Sequence, residues 1–133
     1  MLLLLLASCG DSPLLNHVKA PDVGRFVRSV EDQRFPRSNR AFDLLWQSGC
    51  PSFDACSFTV NLKDPLNSGE ELFAELWMPS MGHGSSPFTV RALGPTSWEF
   101  SDVYFIMPGN WEVALKIKSG GQAIDEIRLD YRL

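Results

Sequence analysis

The sequence is poor in the side chains that most often carry catalytic chemistry, since its 133 residues include only two histidines, His17 and His83. A nucleophile needs a general base within reach, and the two serines that follow His83 are better explained as turn residues. Adjacent carboxylates face opposite ways on a strand, which applies to Glu70–Glu71 and Asp125–Glu126. The sequence therefore indicates a protein that is not an enzyme.

Basic charge is also scarce. Twelve Lys and Arg residues stand against sixteen Asp and Glu residues, which gives a net charge of -4, and the basic residues are scattered along the chain. Binding to nucleic acid requires a basic patch that neutralises phosphates, so we expect no nucleic-acid partner. The 44% of hydrophobic residues is typical of one ordinary globular domain.

No apolar run is long enough to cross a bilayer, for which about 20 residues are needed. The longest run, Met1–Ser8, reads MLLLLLAS and is typical of the core of a signal peptide, although no positively charged segment precedes it. We interpret residues 1–8 as the remnant of a signal peptide.

The next residues extend this interpretation. Leu6-Ala7-Ser8-Cys9 resembles the lipobox of bacterial lipoproteins, which implies that Cys9 is lipidated and anchors the chain at the periplasmic face of a membrane. The polar residues from Gly10 onward suit a tether, and Gly10 stands where an aspartate would retain some lipoproteins at the inner membrane, so the outer membrane is favoured. The alternatives are a plain secretory signal or a buried N-terminus with a chance cysteine.

The remaining cysteines, Cys50 and Cys56, form an even pair in an exported protein. We predict a structural disulfide that closes the short loop CPSFDAC. A metal site and a redox pair are the alternatives, but five intervening residues match neither the common zinc spacing nor C-x-x-C.

The rest of the chain has no helical period and alternates polar with apolar residues, which is typical of half-buried strands. We assign residues 9–40 to the lipidated tether and residues 41–133 to an all-β domain. The predicted fold is a small antiparallel immunoglobulin-like β-sandwich of six to seven strands. The predicted strands cover residues 42–47, 57–63, 71–78, 88–93, 98–107, 111–118 and 123–132, the last with a bulge at Asp125–Glu126.

The segment from Trp77 to Gly84 reads WMPSMGHG and places Met78, Met81 and His83 in one turn. Thioethers with one imidazole favour Cu(I), whereas carboxylates suit hard ions and thiolates suit zinc. Met107, at the end of the predicted strand 98–107, is a fourth candidate ligand if both strand ends meet at one rim. We consider Trp77 as a residue that covers the ion through a cation–π contact, with packing of its side chain against the sheet as the alternative. The alternative is that these methionines fill the core.

The pattern MPxMGHG, followed by a strand that ends in MPG and continues as NWEV, resembles the YtkA-like domains, which are related to the extracellular part of FixH-type proteins. The resemblance covers roughly residues 42–118 and includes Met78, Met81, His83 and Met107. It implies an immunoglobulin-like fold outside the cytoplasm and a link to copper handling or cytochrome oxidase assembly. The CPSFDAC insert and Trp98 depart from the pattern.

The sequence thus predicts a lipid-anchored periplasmic protein that binds Cu(I) through these four residues. Its expected partners are the membrane, through the lipid on Cys9, and a copper-handling or oxidase-assembly protein. The alternative is a metal-free immunoglobulin-like interaction module of an envelope or transport complex.

Overall fold

The computed structural model describes residues 26–133. This part of the chain is built from nine strands, and it contains no helix that is long and apolar enough to span a bilayer. The strands are β1 (Ser29–Arg34), β2 (Ala41–Trp46), β3 (Cys56–Leu62), β4 (Glu70–Met78), β5 (His83–Gly84), β6 (Thr89–Ala92), β7 (Ser97–Val103), β8 (Asn110–Ser119) and β9 (Gln122–Arg132).

The strands form two antiparallel sheets, which pack face to face as a β-sandwich. The five-stranded sheet has the order β1-β2-β3-β7-β6, and the four-stranded sheet has the order β5-β4-β8-β9. The predicted all-β sandwich is therefore confirmed, with β1 and the two-residue β5 as strands that the sequence did not predict.

The core lies between the sheets and follows directly from the alternation in the sequence. In β3, every second residue from Cys56 to Leu62 is buried, and Ser57, Thr59 and Asn61 point away from the core. Burial of each large apolar side chain contributes about 1.5–3 kcal/mol to the free energy of unfolding. The largest fully buried side chains include Trp111, Phe35, Phe42, Phe58, Phe100 and Phe105.

The first strand corrects the predicted boundary of the tether. β1 pairs with β2 in antiparallel register, and Phe35, which follows it, is completely buried. Both lie within residues 9–40, so the sandwich includes chain that we assigned to the tether. The strand was missed because it is an edge strand without a buried apolar row, and a register shift interrupts it between Val30 and Gln33.

The predicted strand 98–107 is too long, because β7 ends at Val103. Residues 104–109 carry the chain from the five-stranded sheet to β8 in the four-stranded sheet, and a ladder cannot continue through such a crossing. Just before the strand ends, Asp102 has a positive φ of 58°. Met107 therefore lies in a connection between the sheets and does not end a strand.

The predicted bulge in the last strand is present, although it lies one residue earlier. Ile117 pairs with Asp125 and Lys118 pairs with Ala123, so Ile124 has no partner of its own in β8. The bulge turns the carboxylate of Asp125 towards the β1–β2 turn, where it accepts hydrogen bonds from the backbone N–H groups of Arg37 (3.2 Å) and Ser38 (2.6 Å).

Candidate functional site

Three connections meet at one end of the sandwich, which we call the site end: residues 47–55, 79–82 and 104–109. The register places them together, because Cys56 pairs with Val103 in one sheet and Trp77 pairs with Glu112 in the other. Phe105 lies between the sheets at this end, with its ring centroid 5.6 Å from that of Trp46 and 5.9 Å from that of Trp111. The connection 104–109 thus joins the two sheets beside the MPSMGHG turn.

The MPSMGHG segment folds as a tight hairpin. The N–H groups of Met81 and Gly82 donate to the Met78 carbonyl oxygen at 3.2 and 3.1 Å, and Gly82 has a φ of 65°, which favours glycine. This turn places His83 directly opposite Met78 in the β4–β5 pair. Because directly paired residues of antiparallel strands share a face, the side chains of Met78 and His83 leave the backbone on the same side.

The side chain of Met78 extends inward to the connection 104–109. It is only 2% exposed. A Cβ atom at Gly109 would lie 2.9 Å from the Met78 Cε atom, so the terminal methyl group of Met78 packs against Gly109. The structure therefore brings together the two motifs that the sequence singled out, with Gly109 as the point of contact.

Met107 is held beside this contact by its own backbone. Its carbonyl oxygen accepts a hydrogen bond of 3.0 Å from the Nε1–H of the buried Trp111, and its half-buried side chain packs against the core. Two backbone hydrogen bonds between Gly109 and Leu133, of 2.9 and 3.1 Å, fix the following turn. The sequence analysis did not identify Gly109 or Trp111, although the MPG and NWEV patterns contain both.

The imidazole of His83 has one ring nitrogen engaged. Its Nδ1 atom lies 3.2 Å from the Gly84 carbonyl oxygen. A carbonyl only accepts, so Nδ1 must donate in this hydrogen bond, and in the neutral ring Nε2 then carries the lone pair. Such a tautomer is suited to metal binding through Nε2, because the second nitrogen is already oriented.

The other two candidate residues are placed differently. The side chain of Met81 is 54% exposed at the tip of the turn. Trp77 pairs with Gly84, and neighbouring residues of a strand point to opposite faces, so the indole lies on the outer face, away from Met78 and His83. This corrects the predicted position of Trp77 as a cover for an ion held between those two residues.

Cys50 and Cys56 lie within disulfide distance of each other, as predicted. Their Cα atoms are 5.8 Å apart, and both side chains are buried at the site end. The pairing occupies the two thiols of this region, so thiolate ligation at the site end would require reduction of the pair.

Carboxylate, imidazole and thiol side chains do not form a metal-binding group in the described part of the chain. Among residues 26–133, no three side chains of the His, Cys, Asp or Glu type are grouped closely enough to hold a metal ion. A metal site at the site end would therefore rest on thioethers and one imidazole, which is a soft donor set.

A depression of about 600 Å³ lies on the outer face of the four-stranded sheet, beside the turn. It is lined by Pro79, Ser80, residues 110–112 of β8 and residues 130–132 of β9, and one of these, Glu112, is paired with Arg128 at 2.7 Å. Met78 points to the opposite face of the sheet. The depression is therefore separate from the group of candidate ligands.

The predicted lipidation at Cys9 and the second histidine, His17, lie outside the described residues. Comparison of the chain with protein-family models, with curated proteins and with solved structures found no match. Functional inference therefore depends on the residues of the site end themselves.

Proposed function

We propose that this protein is lipid-anchored through Cys9 in the periplasm of a bacterium and binds Cu(I) at the site end, for copper handling or the assembly of cytochrome oxidase. The proposed ligands are Met78, His83 and Met107, with the exposed Met81 as a fourth donor from the turn. The contact of Met78 with Gly109 is the observation that carries the proposal, since it joins two methionine-containing segments that are far apart in the sequence.

The donor chemistry supports copper over other metals. Thioethers are soft, neutral ligands that favour Cu(I), and they give little affinity for zinc or for hard cations. Met78 and His83 face each other across the β4–β5 hairpin, and the Nδ1 hydrogen bond of His83 leaves Nε2 available. The resemblance to the YtkA-like domains, which lies in these same motifs, agrees with this assignment.

The exposure of Met81 suits a site that exchanges its metal. A flexible thioether at the tip of a turn can bind and release an ion without opening the core. Met78 and Met107, which are held by packing, would provide the fixed part of the site.

One observation favours a second candidate function. Met78 is 2% exposed and belongs to the main hydrophobic cluster, as expected of a methionine that only fills space between the sheets. If the methionines serve only as core residues, the protein is a metal-free interaction module of an envelope complex.

Cu(I) titration of the detergent-solubilised full chain against a chromophoric Cu(I) chelator distinguishes the two functions. We expect the protein to remove one Cu(I) ion per chain from the chelator. The titration is repeated with chelators of decreasing Cu(I) affinity. A protein that takes no Cu(I) from the weakest of them would be assigned to the metal-free function.

Variants of Met107 test whether the connection 104–109 takes part. Leucine retains the apolar volume of methionine and removes only the sulfur, so Met107→Leu should weaken Cu(I) binding by about tenfold, the equivalent of about 1.4 kcal/mol, without loss of stability. Ile106→Leu is the matched control, because it alters the neighbouring side chain without a change in sulfur. Equal affinities for the two variants would confine the site to the hairpin.

The anchor is tested separately by metabolic labelling with a fatty acid. The parent chain should incorporate the label and partition with membranes, whereas Cys9→Ser should do neither. Equal labelling of the variant and the parent would remove the anchor from the proposed function and leave the copper site unaffected.

A further inference from the structure

Exposed apolar side chains are concentrated at the site end. Phe53 is 61% exposed, Ile106 is 54% exposed and Tyr104 is 38% exposed, and they extend from two separate connections, with Met81 on the third. Isolated exposed apolar residues are common on protein surfaces, but a group of them at one end marks a contact surface.

The three connections of the site end are poor in charge. Residues 47–55, 79–82 and 104–109 contain a single charged residue, Asp54, although Arg28 donates to the Gln47 carbonyl oxygen at 3.2 Å and Arg132 lies beside Asn110. At the opposite end, two of the four connections, 35–40 and 63–69, carry Arg37, Arg40, Lys63 and Asp64. Because a buried charge loses its hydration, connections with fewer charges can approach a medium of low dielectric constant at smaller cost.

The N-terminal segment joins the sandwich at this same end. The Phe26 ring packs 4.9 Å from Trp46, 5.1 Å from Tyr131 and 5.9 Å from Phe105, measured between ring centroids. Residues 1–25, which begin with the apolar run MLLLLLAS and contain Cys9, therefore connect to the domain next to its exposed apolar residues.

We infer that the site end lies against the lipid bilayer, with Phe53, Tyr104 and Ile106 inserted into the interface between headgroups and acyl chains. The inference rests on the proposed anchoring through Cys9. Aromatic side chains are favoured at this depth, because the ring is apolar and the tyrosine hydroxyl can remain in contact with water. We call these three side chains the apolar tips. Each is exposed on a connection at the site end, so its insertion into the interface would leave the core intact.

The anchor alone would not impose this orientation. Residues 10–25, if fully extended, would let the domain stand up to about 55 Å from the lipidated cysteine. The apolar tips would hold the site end on the membrane, and the candidate ligands Met81 and His83 would then face the bilayer. A partner that exchanges Cu(I) with this site would have to reach it at the membrane surface.

Photo-cross-linking in vesicles tests the orientation. The lipidated full chain is reconstituted, without copper, into vesicles of phosphatidylethanolamine and phosphatidylglycerol that contain a trace of phospholipid with a diazirine on the acyl chain. After irradiation, mass spectrometry should locate lipid adducts at Phe53, Tyr104 and Ile106. Leu93 and Ile124, exposed apolar residues at the opposite end, serve as internal controls and should remain unmodified.

Two double variants test whether the exposed apolar side chains of the site end cause the contact with lipid. Phe53→Ser with Ile106→Ser should reduce the adducts at Tyr104 at least severalfold, whereas Leu93→Ser with Ile124→Ser should leave them unchanged. All four side chains are exposed, so the core is retained, and circular dichroism verifies that both variants are folded.

Adducts at Leu93 and Ile124 as abundant as those at the site end, or no adducts beyond the N-terminal segment, would overturn the inference. A second reconstitution adds solubilised membrane proteins to the same vesicles. Adducts at the site end that form only in these vesicles would assign the surface to a protein partner and would also overturn the inference. The experiment uses copper-free protein, so its failure leaves the proposed copper function open, and failure of the copper titration leaves the orientation open.

Discussion

The terminal methyl group of Met78 occupies the space that a side chain on Gly109 would require. A Cβ atom at position 109 would lie 2.9 Å from the Met78 Cε atom, and the φ of Gly109, 142°, is one that residues with side chains rarely adopt. Gly109→Ala should therefore lower the free energy of unfolding by about 1–3 kcal/mol and displace Met78. Chemical denaturation measures the first effect, and Cu(I) competition, in which affinity should fall, measures the second.

Gly94→Ala is the matched control for this substitution. A Cβ atom at position 94 meets no other atom within 4 Å, and the backbone there has no positive φ. This variant should unfold with nearly the parent free energy and retain the parent Cu(I) affinity. Two alanine variants of equal stability would mean that Gly109 is not constrained by Met78 or by its backbone.

His83→Gln should weaken Cu(I) binding by about tenfold, the equivalent of about 1.4 kcal/mol, because it removes the one imidazole of the proposed ligand set and leaves the thioethers in place. His17→Gln, at the other histidine, is the matched control and should retain the parent affinity. Competition with a chromophoric Cu(I) chelator measures both variants. Equal affinities for His83→Gln and the parent would remove His83 from the ligand set.

The pair Cys50 and Cys56 should stabilise the site end modestly, because it closes a short loop. Cys50→Ala with Cys56→Ala should lower the free energy of unfolding by about 2 kcal/mol in the loop-entropy model. The parent protein unfolded in the presence of a reductant should approach the same value. Mass spectrometry of protein isolated without a reductant, before and after reduction, should show one disulfide bond, and two free thiols would refute the pairing.

Because of Asp125, the free energy of unfolding should fall as the solution is made acidic. Burial alone would raise the pKa of this carboxyl, but hydrogen bonds from Ser38, Arg37 and Glu126 outweigh it and lower the pKa below its usual value. Its contribution to the free energy of unfolding is therefore complete above about pH 3.9, the ordinary aspartate pKa, and is lost as the pH falls further, towards the lower pKa of the folded state.

The variant Asp125→Asn isolates this contribution. Asparagine is similar in size but carries no charge to accept from three N–H groups, so the variant should be about 1–3 kcal/mol less stable at neutral pH. The difference from the parent should shrink in acid, as measured by denaturant unfolding at a series of pH values. A difference that is constant down to the most acidic pH would contradict the assignment to the carboxylate.

The strands with strict alternation were predictable because their burial is decided by the residues themselves. β3 alternates along its whole length and β4 does so from Glu71 onward, and each was predicted within one residue at both ends. β5 was not predictable, because two residues form a strand only through their pairing with β4. β1 depends in the same way on β2, since its own side chains are mostly exposed.

The position of Met107 shows why alternation alone was insufficient. Val103 and Phe105 are buried, Tyr104 and Ile106 are exposed, and Met107 is half-buried, so the period of two continues beyond the last residue of β7. In an extended segment that crosses between sheets, buried and exposed side chains alternate as they do in a strand. Such a segment, however, makes no ladder of backbone hydrogen bonds with a neighbouring strand. The candidate ligands could be chosen from the sequence, whereas the contact of Met78 with Gly109 depends on how the sheets are packed.

The backbone pairing of Leu133 with Gly109 matters for the handling of the protein. Because residue 133 is hydrogen-bonded to the turn beside Met107, any peptide fused after it would leave the molecule next to the candidate ligands. A polyhistidine tag at that position would offer its own imidazoles to Cu(I) and would crowd the apolar tips. A purification tag placed in the β8–β9 turn at Gly120–Gly121, at the far end of the sandwich, would leave both surfaces unobstructed.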